Sequence, residues 1–377
     1  MGIKLAAFDH LGEHKDFDNE TTPPIDYECE EETEAESSLI AQVKIDASFI
    51  RFSFPEIYVD KLEQKQKCLI IIKRPHLRRD FKAEREMLYA CNAARSLHIV
   101  NLLASFTWQE IGYLILPPAK TDLWNFWLIG SSSSQLTLSP SSAEKWTLIQ
   151  LHGLGSALST IHTKLSTDNG IPVFGLHGDI KATNVLLFPS SSYYGPGPGV
   201  LQLGDMGSSA LFSSLSAASQ IPPSGSSGTH SPPESILETP YSQALDIWSM
   251  GCLILEYLIW LLKGPQGLES FIEERTQVSY PFGLRFTNDF FFKLEPSEDK
   301  SDSKEQDSRP MVTALNPGVI SCIAKLRDEC TPVLRQLLEI VEGDLLQIDQ
   351  TKRISAEALE DKLQQLLNGY VNGHDSG

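Results

Sequence analysis

Residues 177–184 combine the side chains that phosphoryl-transfer chemistry requires. The stretch has the sequence His-Gly-Asp-Ile-Lys-Ala-Thr-Asn and is followed by three hydrophobic residues. It places a carboxylate at Asp179, an ammonium group at Lys181 and an amide at Asn184, each at a fixed offset from the others. An acid, a base and an amide at such offsets suit the movement of a phosphoryl group.

Further motifs follow along the chain in a characteristic order. They are a lysine after an apolar run, an Asp-x-Gly triplet, a Ser-Pro-Pro-Glu segment and an Asp-x-Trp-Ser-x-Gly segment, at Lys73, 205–207, 231–234 and 246–251. Together with residues 177–184, these motifs resemble the eukaryotic-type protein kinase family, whose catalytic loop has the form H-R-D-L-x-x-x-N. The resemblance covers roughly residues 39–367.

The resemblance implies a phosphate-binding lysine. Lys73 follows three isoleucines and would bind the α- and β-phosphates of ATP as a point charge. Glu84 would hold this lysine. It is preferred to Glu86 because Leu88 lies one helical turn after Glu84, where the family packs an apolar residue. The alternative is that Lys73 only protects the edge of a sheet.

The resemblance also implies a magnesium site. Asp205 lies in an Asp-Met-Gly triplet where the family has Asp-Phe-Gly. Asp205 and Asn184 would bind Mg²⁺ through hard oxygen atoms, and phosphates and water would supply the other ligands. An apolar column linking two lobes is expected from Leu88, Leu102, His177 and Met206.

Residues 113–119 resemble the strand that leads into the family's hinge. The carbonyl of Pro117 can accept a hydrogen bond from adenine, and the N–H of Ala119 can donate one, because proline lacks only its own N–H. Leu186 would form the floor of the adenine pocket.

Within the family, Asp179 would orient the substrate hydroxyl and accept its proton, while Lys181 would neutralise the γ-phosphate. Lys181 matches serine/threonine rather than tyrosine kinases. The His-Gly-Asp form also occurs in small-molecule kinases similar to aminoglycoside and choline phosphotransferases. The downstream motifs favour a protein substrate: Glu234 would form a buried pair with Arg353, and Asp246 would accept hydrogen bonds from the catalytic-loop backbone.

Two departures from the family pattern qualify this prediction. Between Leu39 and Lys73 there is no glycine-rich loop; the nearest candidate, residues 45–50, contains no glycine, and Ile71 narrows the expected nucleotide pocket. A degenerate kinase that acts as a binding scaffold is therefore the alternative. Gly178 replaces the arginine that pairs with a phosphorylated activation loop, so phosphorylation within 208–230 is not expected to be required for activity.

The hydrophobic periodicity predicts an α+β fold with two lobes. Strands are expected within 39–54, 68–73, 99–106 and 113–116, and a helix within 81–90. Later helices are expected within 145–165, 247–262, 268–276, 319–342 and 355–367, with loops at 131–134, 189–199 and 295–309. The predicted domains are an acidic disordered tail (1–38), a β-rich N-lobe (39–118), a helical C-lobe (119–369) and a flexible C-terminus (370–377).

Charge and cysteine content restrict the partners and the compartment. The net charge of −18 argues against binding to nucleic acid or an anionic membrane. Much of the acidity lies within residues 9–36, and the alternative to a solvated tail is an arm that docks a partner electrostatically. Six scattered cysteines without a C-x-x-C pair predict a reducing, intracellular location, cytoplasmic or nuclear. The apolar run 247–262 carries Glu256 and is too short to span a membrane, so a core helix is expected.

Overall fold

The computed structural model describes residues 7–17, 28–34, 37–52, 59–60, 67–129, 139–167, 169–189, 197–214, 228–235, 240–279, 286–295 and 311–374. The chain divides into two compact units. The first contains residues 1–123, 160–177 and 184–213. The second contains residues 124–159, 178–183 and 214–377.

A seven-stranded sheet lies in the first unit. Its strands are β1 (Glu13–Phe17), β2 (Glu28–Glu34), β3 (Ser38–Asp46), β4 (Val59–Asp60), β5 (Lys67–Pro75), β6 (Ala104–Trp108) and β7 (Ile111–Leu116). The strand order is β1-β6-β7-β5-β3-β2, and β4 pairs with β5. β1 is parallel to β6, whereas the other pairs are antiparallel.

Alternating apolar residues give the sheet its buried face. Val43 and Ile45 on β3 pack with Cys68, Ile70 and Ile72 on β5, because every second side chain of a strand points to the same side. Residues from outside these two strands, including Phe8 and Phe106, complete this cluster.

Helix α1 (Arg78–Ala94) packs on the sheet through residues at helical spacing. Its buried side chains include Phe81, Glu84, Leu88 and Cys91, at intervals of three and four residues. Phe81 lies against Gly112 of β7, where an added Cβ would come within 2.2 Å of the ring, so glycine permits this close approach. The helix ends at Arg95, which has a left-handed conformation.

Six shorter strands complete the first unit. They are β8 (Thr121–Asp122), β9 (Leu165–Ser166), β10 (Pro172–Leu176), β11 (Val185–Phe188), β12 (Val200–Leu203) and β13 (Ala210–Phe212). They form two small antiparallel sheets, β13-β10-β9 and β12-β11-β8. α1 contacts both β9 and β13, which explains why these later segments group with the N-terminal sheet and not at the expected boundary at residue 118.

Most of the helical structure lies in the second unit. The helices are α2 (Leu123–Ile129), α3 (Pro140–Thr163), α4 (Ala244–Arg275), α5 (Pro317–Glu329), α6 (Pro332–Ile340) and α7 (Ala356–His374). Two short hairpins accompany them: β14 (Gln277–Ser279) with β15 (Phe286–Asn288), and β16 (Phe292–Glu295) with β17 (Met311–Leu315). A β-rich N-terminal part and a helical C-terminal part confirm the predicted α+β class.

Helix α4 is the core helix that the apolar run 247–262 predicts. Among the described residues, it is the helix long and apolar enough to cross a membrane, and 83% of its most apolar window is buried within the protein. The path changes at Gly264, whose φ of 66° and ψ of −166° are not helical, and Pro265 follows it. This burial agrees with the expectation of a core helix.

The N-terminal prediction requires correction. Residues 1–38 are expected to be a disordered tail, yet β1 and β2 lie within this range and belong to the sheet. Phe8 is fully buried and exchanges backbone hydrogen bonds with Phe49 and Arg51. The prediction failed because residues 31–34 of β2 are exposed and acidic, so they show no apolar alternation, although their backbone pairs with β3.

Other boundaries also differ from the predictions. The single helix expected at 319–342 is two helices, since Thr331 caps a new helix whose first residue is Pro332. The strand expected from residue 99 begins at Ala104. The C-terminus is helical to His374, and Tyr370 is buried and donates a hydrogen bond to the carbonyl of Ser141 (2.9 Å). Most of the three predicted loops lies outside the described residues.

Candidate active site

Lys73 of β5 forms hydrogen-bonded ion pairs with two carboxylates in the first unit. Its Nζ lies 2.7 Å from Oε1 of Glu84 and 2.7 Å from Oδ1 of Asp205. Lys73 and Glu84 are almost fully buried, with 4% and 2% of their side chains exposed, whereas Asp205 is 40% exposed. The ammonium group of Lys73 is therefore held next to Asp205, the partner that is partly exposed to solvent.

The secondary structure explains why Glu84 is the partner. Glu84 lies on the buried face of α1 with Phe81 and Leu88, whereas Glu86 is exposed. A shift of two residues turns a helical side chain by about 200°, so the two glutamates point in nearly opposite directions. The pair between Lys73 and Glu84, inferred from the position of Leu88, is present in the structure.

The electrostatics of this cluster favour the ionised forms of Lys73 and Asp205, whereas burial raises the pKa of Glu84 above its ordinary value. Burial alone would lower the pKa of Lys73, but the carboxylates of Glu84 and Asp205 raise it above its ordinary value. Burial opposes ionisation of Asp205 as well, yet Lys73 and the N–H of Gly207 lower the pKa of this carboxyl group. Asp205 is therefore a carboxylate at neutral pH.

Asp205 has a strained backbone at the start of a 3₁₀ turn, Met206–Ser208. Its φ of 53° and ψ of 78° are left-handed, which is uncommon for a residue with a side chain. Its Oδ1 accepts a hydrogen bond from the N–H of Gly207 (3.1 Å). A Cβ at Gly207 would come within 3.0 Å of this oxygen and 3.7 Å of Nζ of Lys73, so a larger residue would crowd the cluster.

The oxygen donors near this cluster fit a magnesium ion. Asp205 offers a partly exposed carboxylate, and Asn184 offers an amide at the end of the 3₁₀ turn Ala182–Asn184. The backbone carbonyl of Asn184 accepts a hydrogen bond from Gly204 (2.8 Å), which connects the residue to the segment that leads to Asp205. Hard oxygen ligands of this kind suit Mg²⁺, which keeps several ligand positions for water and phosphate.

The four residues of the expected apolar column are all buried in the first unit. Leu88 is 2% exposed, and Leu102, His177 and Met206 are each 0% exposed. His177 is fixed by a hydrogen bond from its Nε2–H to the carbonyl of Gly204 (3.0 Å), since a carbonyl can only accept. α1 contacts the 3₁₀ turn that contains Met206.

The residues expected to bind adenine are also in the first unit. Pro117 is buried, and Ala119 and Leu186 are partly buried. Within the described part of the chain, the N–H of Ala119 has no hydrogen-bond partner. Leu186, on β11, packs against Gly204, where a Cβ would come within 3.0 Å of Leu186 Cδ1.

The strand order shows which hairpin lies beside the strand that carries Lys73. In protein kinases a glycine-rich loop precedes the strand that carries the lysine. Here β5 pairs with β3 and β3 with β2, so the hairpin beside the lysine strand consists of β2 and β3, and the connection between them in the sequence is residues 35–37. The connection is Ala-Glu-Ser and has no glycine; residues 35 and 36 lie outside the described residues.

Asp179 and Lys181 belong to the second unit and contact each other. Nζ of Lys181 donates a hydrogen bond to Oδ2 of Asp179 (2.7 Å), and the side chains are 43% and 35% exposed. The N–H of Gly178 donates to Oδ1 of Asp246 (2.9 Å), which confirms the expected contact between α4 and the catalytic loop. Gly178 itself has a φ of 82°.

The predicted ion pair between Glu234 and Arg353 is confirmed. The two guanidinium nitrogens of Arg353 lie 2.6 and 2.8 Å from the two carboxylate oxygens of Glu234, a bidentate geometry. The side chains are 0% and 3% exposed. The guanidinium also donates to the carbonyls of Ala244 and Gln347 and lies over the ring of Trp248.

The sequence did not reveal two contacts of this site. One is the direct bond between Lys73 and Asp205, which lie 132 residues apart. The other is the bond between Nδ1 of His230 and the carbonyl of Ile180 (3.1 Å). The sequence feature that could have indicated the second contact is His230, which lies four residues before Glu234 and belongs to none of the motifs considered above.

These features define a member of the protein kinase domain family, to which the chain belongs: the family's sequence profile matches residues 58–363. The chain is similar to the serine/threonine-protein kinase US3 homolog of varicella-zoster virus (strain Dumas), with 25% identity over 292 residues. That alignment covers 74% of this chain and 63% of the relative. A second relative is the US3 homolog of cercopithecine herpesvirus 9 (strain DHV), 25% identical over 158 residues, which are 42% of this chain and 38% of that protein.

The alignments cover only part of each viral relative. The aligned region spans less than two thirds of the length of either relative, at 63% and 38%. The family match begins at residue 58, so strands β1, β2 and β3 precede it. The comparisons thus support a protein kinase domain that includes Lys73, Asp179 and Asp205.

Proposed function

We propose that the chain transfers the γ-phosphoryl group of ATP to serine or threonine hydroxyls of protein substrates. The observation that carries this proposal is Lys73, which bonds to both Glu84 and Asp205 at 2.7 Å. In active kinases the strand lysine is paired with a helix glutamate, and the Asp of the Asp-Phe-Gly triplet binds magnesium. The names of the two viral relatives, and Lys181, favour serine and threonine as acceptors.

Each residue has a distinct role in this proposal. Lys73 holds the α- and β-phosphates, and Glu84 fixes its position. Asp179 orients the acceptor hydroxyl and takes its proton, while Lys181 places a positive charge at the transferred group. Asp205 and Asn184 would hold Mg²⁺, which would supply positive charge to offset the charge on the phosphate oxygens. Pro117 and Ala119 orient adenine above Leu186.

The second candidate is a scaffold that does not transfer phosphate. The β2–β3 connection favours it, because residues 35–37 contain no glycine that would let the backbone approach the phosphates closely. Ile71, which pairs with Leu116 of β7 and is partly buried, also adds bulk next to the expected adenine residues.

Asp179→Asn is the sharpest test of the enzyme proposal. Asp179 is 35% exposed, so the change should leave the thermal unfolding midpoint close to that of the wild type. Transfer of labelled phosphate from Mg-ATP to a generic basic protein should fall by about 10²–10⁴-fold, as expected when a general base is lost. The shift in thermal midpoint caused by Mg-ATP should remain, because Asp179 does not hold the nucleotide.

The matched control is Asp328→Asn, at an exposed position of α5, which should transfer phosphate like the wild type. Lys73→Met is less clear-cut, because it also leaves Glu84 buried without its partner. Equal turnover in Asp179→Asn and the wild type would refute the proposed base. A scaffold would give neither transfer nor a Mg-ATP shift, whereas a small-molecule kinase would give the shift and label no protein.

A further inference from the structure

His230 connects the catalytic-loop segment 178–183 to helix α4. Its Nδ1 lies 3.1 Å from the carbonyl oxygen of Ile180, the residue between Asp179 and Lys181. Its Nε2 lies 3.0 Å from Oε2 of Glu256 on α4. The side chains of His230 and Glu256 are only 11% and 6% exposed. A single imidazole therefore bridges the loop and the core helix.

The two partners of this imidazole are both hydrogen-bond acceptors. A carbonyl oxygen can only accept a hydrogen bond, so Nδ1 of His230 must carry a hydrogen. Burial would raise the pKa of Glu256, but His230 and Arg275 lower it below its ordinary value, so Glu256 is ionised and can only accept. Both ring nitrogens of His230 therefore face hydrogen-bond acceptors, the carbonyl of Ile180 and the carboxylate of Glu256.

Surrounding groups hold this bridge in place. Glu256 lies 3.4 Å from Arg275, and Arg275 donates to the carbonyl of Asp289 (2.7 Å). The Asp289 carboxylate in turn accepts a hydrogen bond from Thr229, the residue before His230 (2.8 Å). The hydroxyl of Ser249 on α4 donates to the backbone carbonyl of His230 (3.2 Å). Both the ring and the backbone of the histidine are therefore anchored.

We propose that His230 is a positioning residue that tethers the catalytic loop to α4 through Ile180, without any phosphorylation. The inference rests on the proposed function. It accounts for a feature that the proposed function leaves open, since Gly178 has no side chain with which to bind a phosphorylated activation segment. The tether supplies a permanent link between the loop and the segment that precedes Glu234.

Two variants of similar polarity separate the two ring nitrogens. His230→Asn retains an amide nitrogen at the position of Nδ1 and can still donate to Ile180. His230→Gln retains one near the position of Nε2 and can donate only to Glu256. In the full chain, kcat should fall for the glutamine variant, toward the roughly hundredfold loss that a misplacement of about 1 Å can cause. The asparagine variant should stay near the wild type, and KM for ATP should change in neither.

Hydrogen exchange tests the tether independently of catalysis. Amides of residues 178–183 should exchange faster in His230→Gln than in the wild type, and at the wild-type rate in His230→Asn. Glu256→Gln, which leaves the bond to Ile180 intact, should lower the thermal midpoint while kcat remains close to that of the wild type.

The outcomes distinguish the tether from the proposed function. Equal kcat and equal exchange in the asparagine and glutamine variants would overturn the tether, and so would a loss of kcat in Glu256→Gln as large as in His230→Gln. Different exchange rates, with no phosphate transfer by the wild type, would support the tether and refute the proposed function. Phosphate transfer by the wild type, with equal hydrogen-exchange rates in both histidine variants, would support the proposed function and refute the tether.

Discussion

Gly178 meets two requirements at a single residue. Its φ of 82° lies in the left-handed region, which L-residues with a side chain adopt only with strain. Its N–H donates to the carboxylate of Asp246, which is fully buried, so the backbone cannot turn away without leaving that oxygen short of a donor. The backbone conformation therefore favours glycine at position 178. This is separate from the effect of lacking the arginine that the family has there.

Substitution of Gly178 should test this conformational requirement. Gly178→Ala should lower the free energy of unfolding by about 1–2 kcal/mol, the usual cost of a left-handed conformation for an L-residue. Chemical denaturation of the variant and the wild type provides the measurement. Gly369→Ala is the matched control: Gly369 lies in α7 with no atom near an added Cβ, so alanine should stabilise by roughly 0.5–1 kcal/mol. Equal stability of Gly178→Ala and the wild type would contradict the interpretation.

The sequence predicted individual residues well where a motif fixed their spacing. Glu84, Asp246 and Arg353 have the partners that the resemblance to the kinase family implied, because each lies in a motif that matches the family. His230 could not be found in this way. Its partners, Ile180 and Glu256, lie on segments that only the tertiary fold brings together.

At the scale of secondary structure, the N-terminal segment is part of the sheet. Gly12 donates its N–H to the carbonyl of Leu103, and a Cβ at Gly12 would come within 3.0 Å of Asn92 on α1. His14 contacts Ser105 on β6 (2.9 Å) and the ring of Phe81 on α1. The segment thus contacts both the sheet and the helix that carries Glu84.

Phe8→Ala should measure how strongly this segment is bound. Phe8 is fully buried in the cluster below the sheet, so its loss should cost about 3–5 kcal/mol of unfolding free energy in a denaturant titration. Leu11→Ala is the control, because Leu11 is 37% exposed and should change stability by no more than about 0.5 kcal/mol. If both variants changed the unfolding free energy by a similarly small amount, the result would favour the disordered tail that the acidic composition predicts.

Element types were predictable where the apolar pattern was strong: β5 and α1 each bury one face, and α4 contains a continuous apolar run that is buried on all sides. β2 was not, since its backbone pairs with β3 while the side chains at 31–34 are exposed and show no apolar alternation. The division near Pro332 was missed because the apolar pattern continues on both sides of it.

At the scale of the whole molecule, long-range contacts hold distant parts of the sequence together within the second unit. Glu234 and Arg353 are 119 residues apart, and the guanidinium bonds also to the start of α4. The fold class followed from the sequence, but the grouping of residues 160–177 and 184–213 with the first unit did not. That grouping depends on which strands contact α1. The local hydrophobic pattern of the sequence does not predict such tertiary contacts.

A double-mutant cycle on Glu234 and Arg353 should test the long-range pair. Glu234→Gln or Arg353→Met alone should each cost about 3–5 kcal/mol, because either change leaves a buried charge without its partner. The double variant should lose less than the sum of the two, as is usual for residues in direct contact. Unfolding in denaturant, followed by tryptophan fluorescence, gives the three values. The exposed pair Lys325–Glu274 is the control and should show a much weaker coupling energy. Additive losses of stability for the Glu234 and Arg353 variants would show that the two residues are not coupled.

The acidic strand β2 also has a consequence for association between molecules. In the part of the chain that the structure describes, β2 pairs with β3 on one side and lies at the edge of the sheet. Such an edge can recruit a strand from a second molecule and start aggregation. The side chains at 31–34 are exposed and include three glutamates. Two copies brought edge to edge would oppose these carboxylates, so the charge that first suggested a disordered tail keeps the open side of the sheet from pairing with itself.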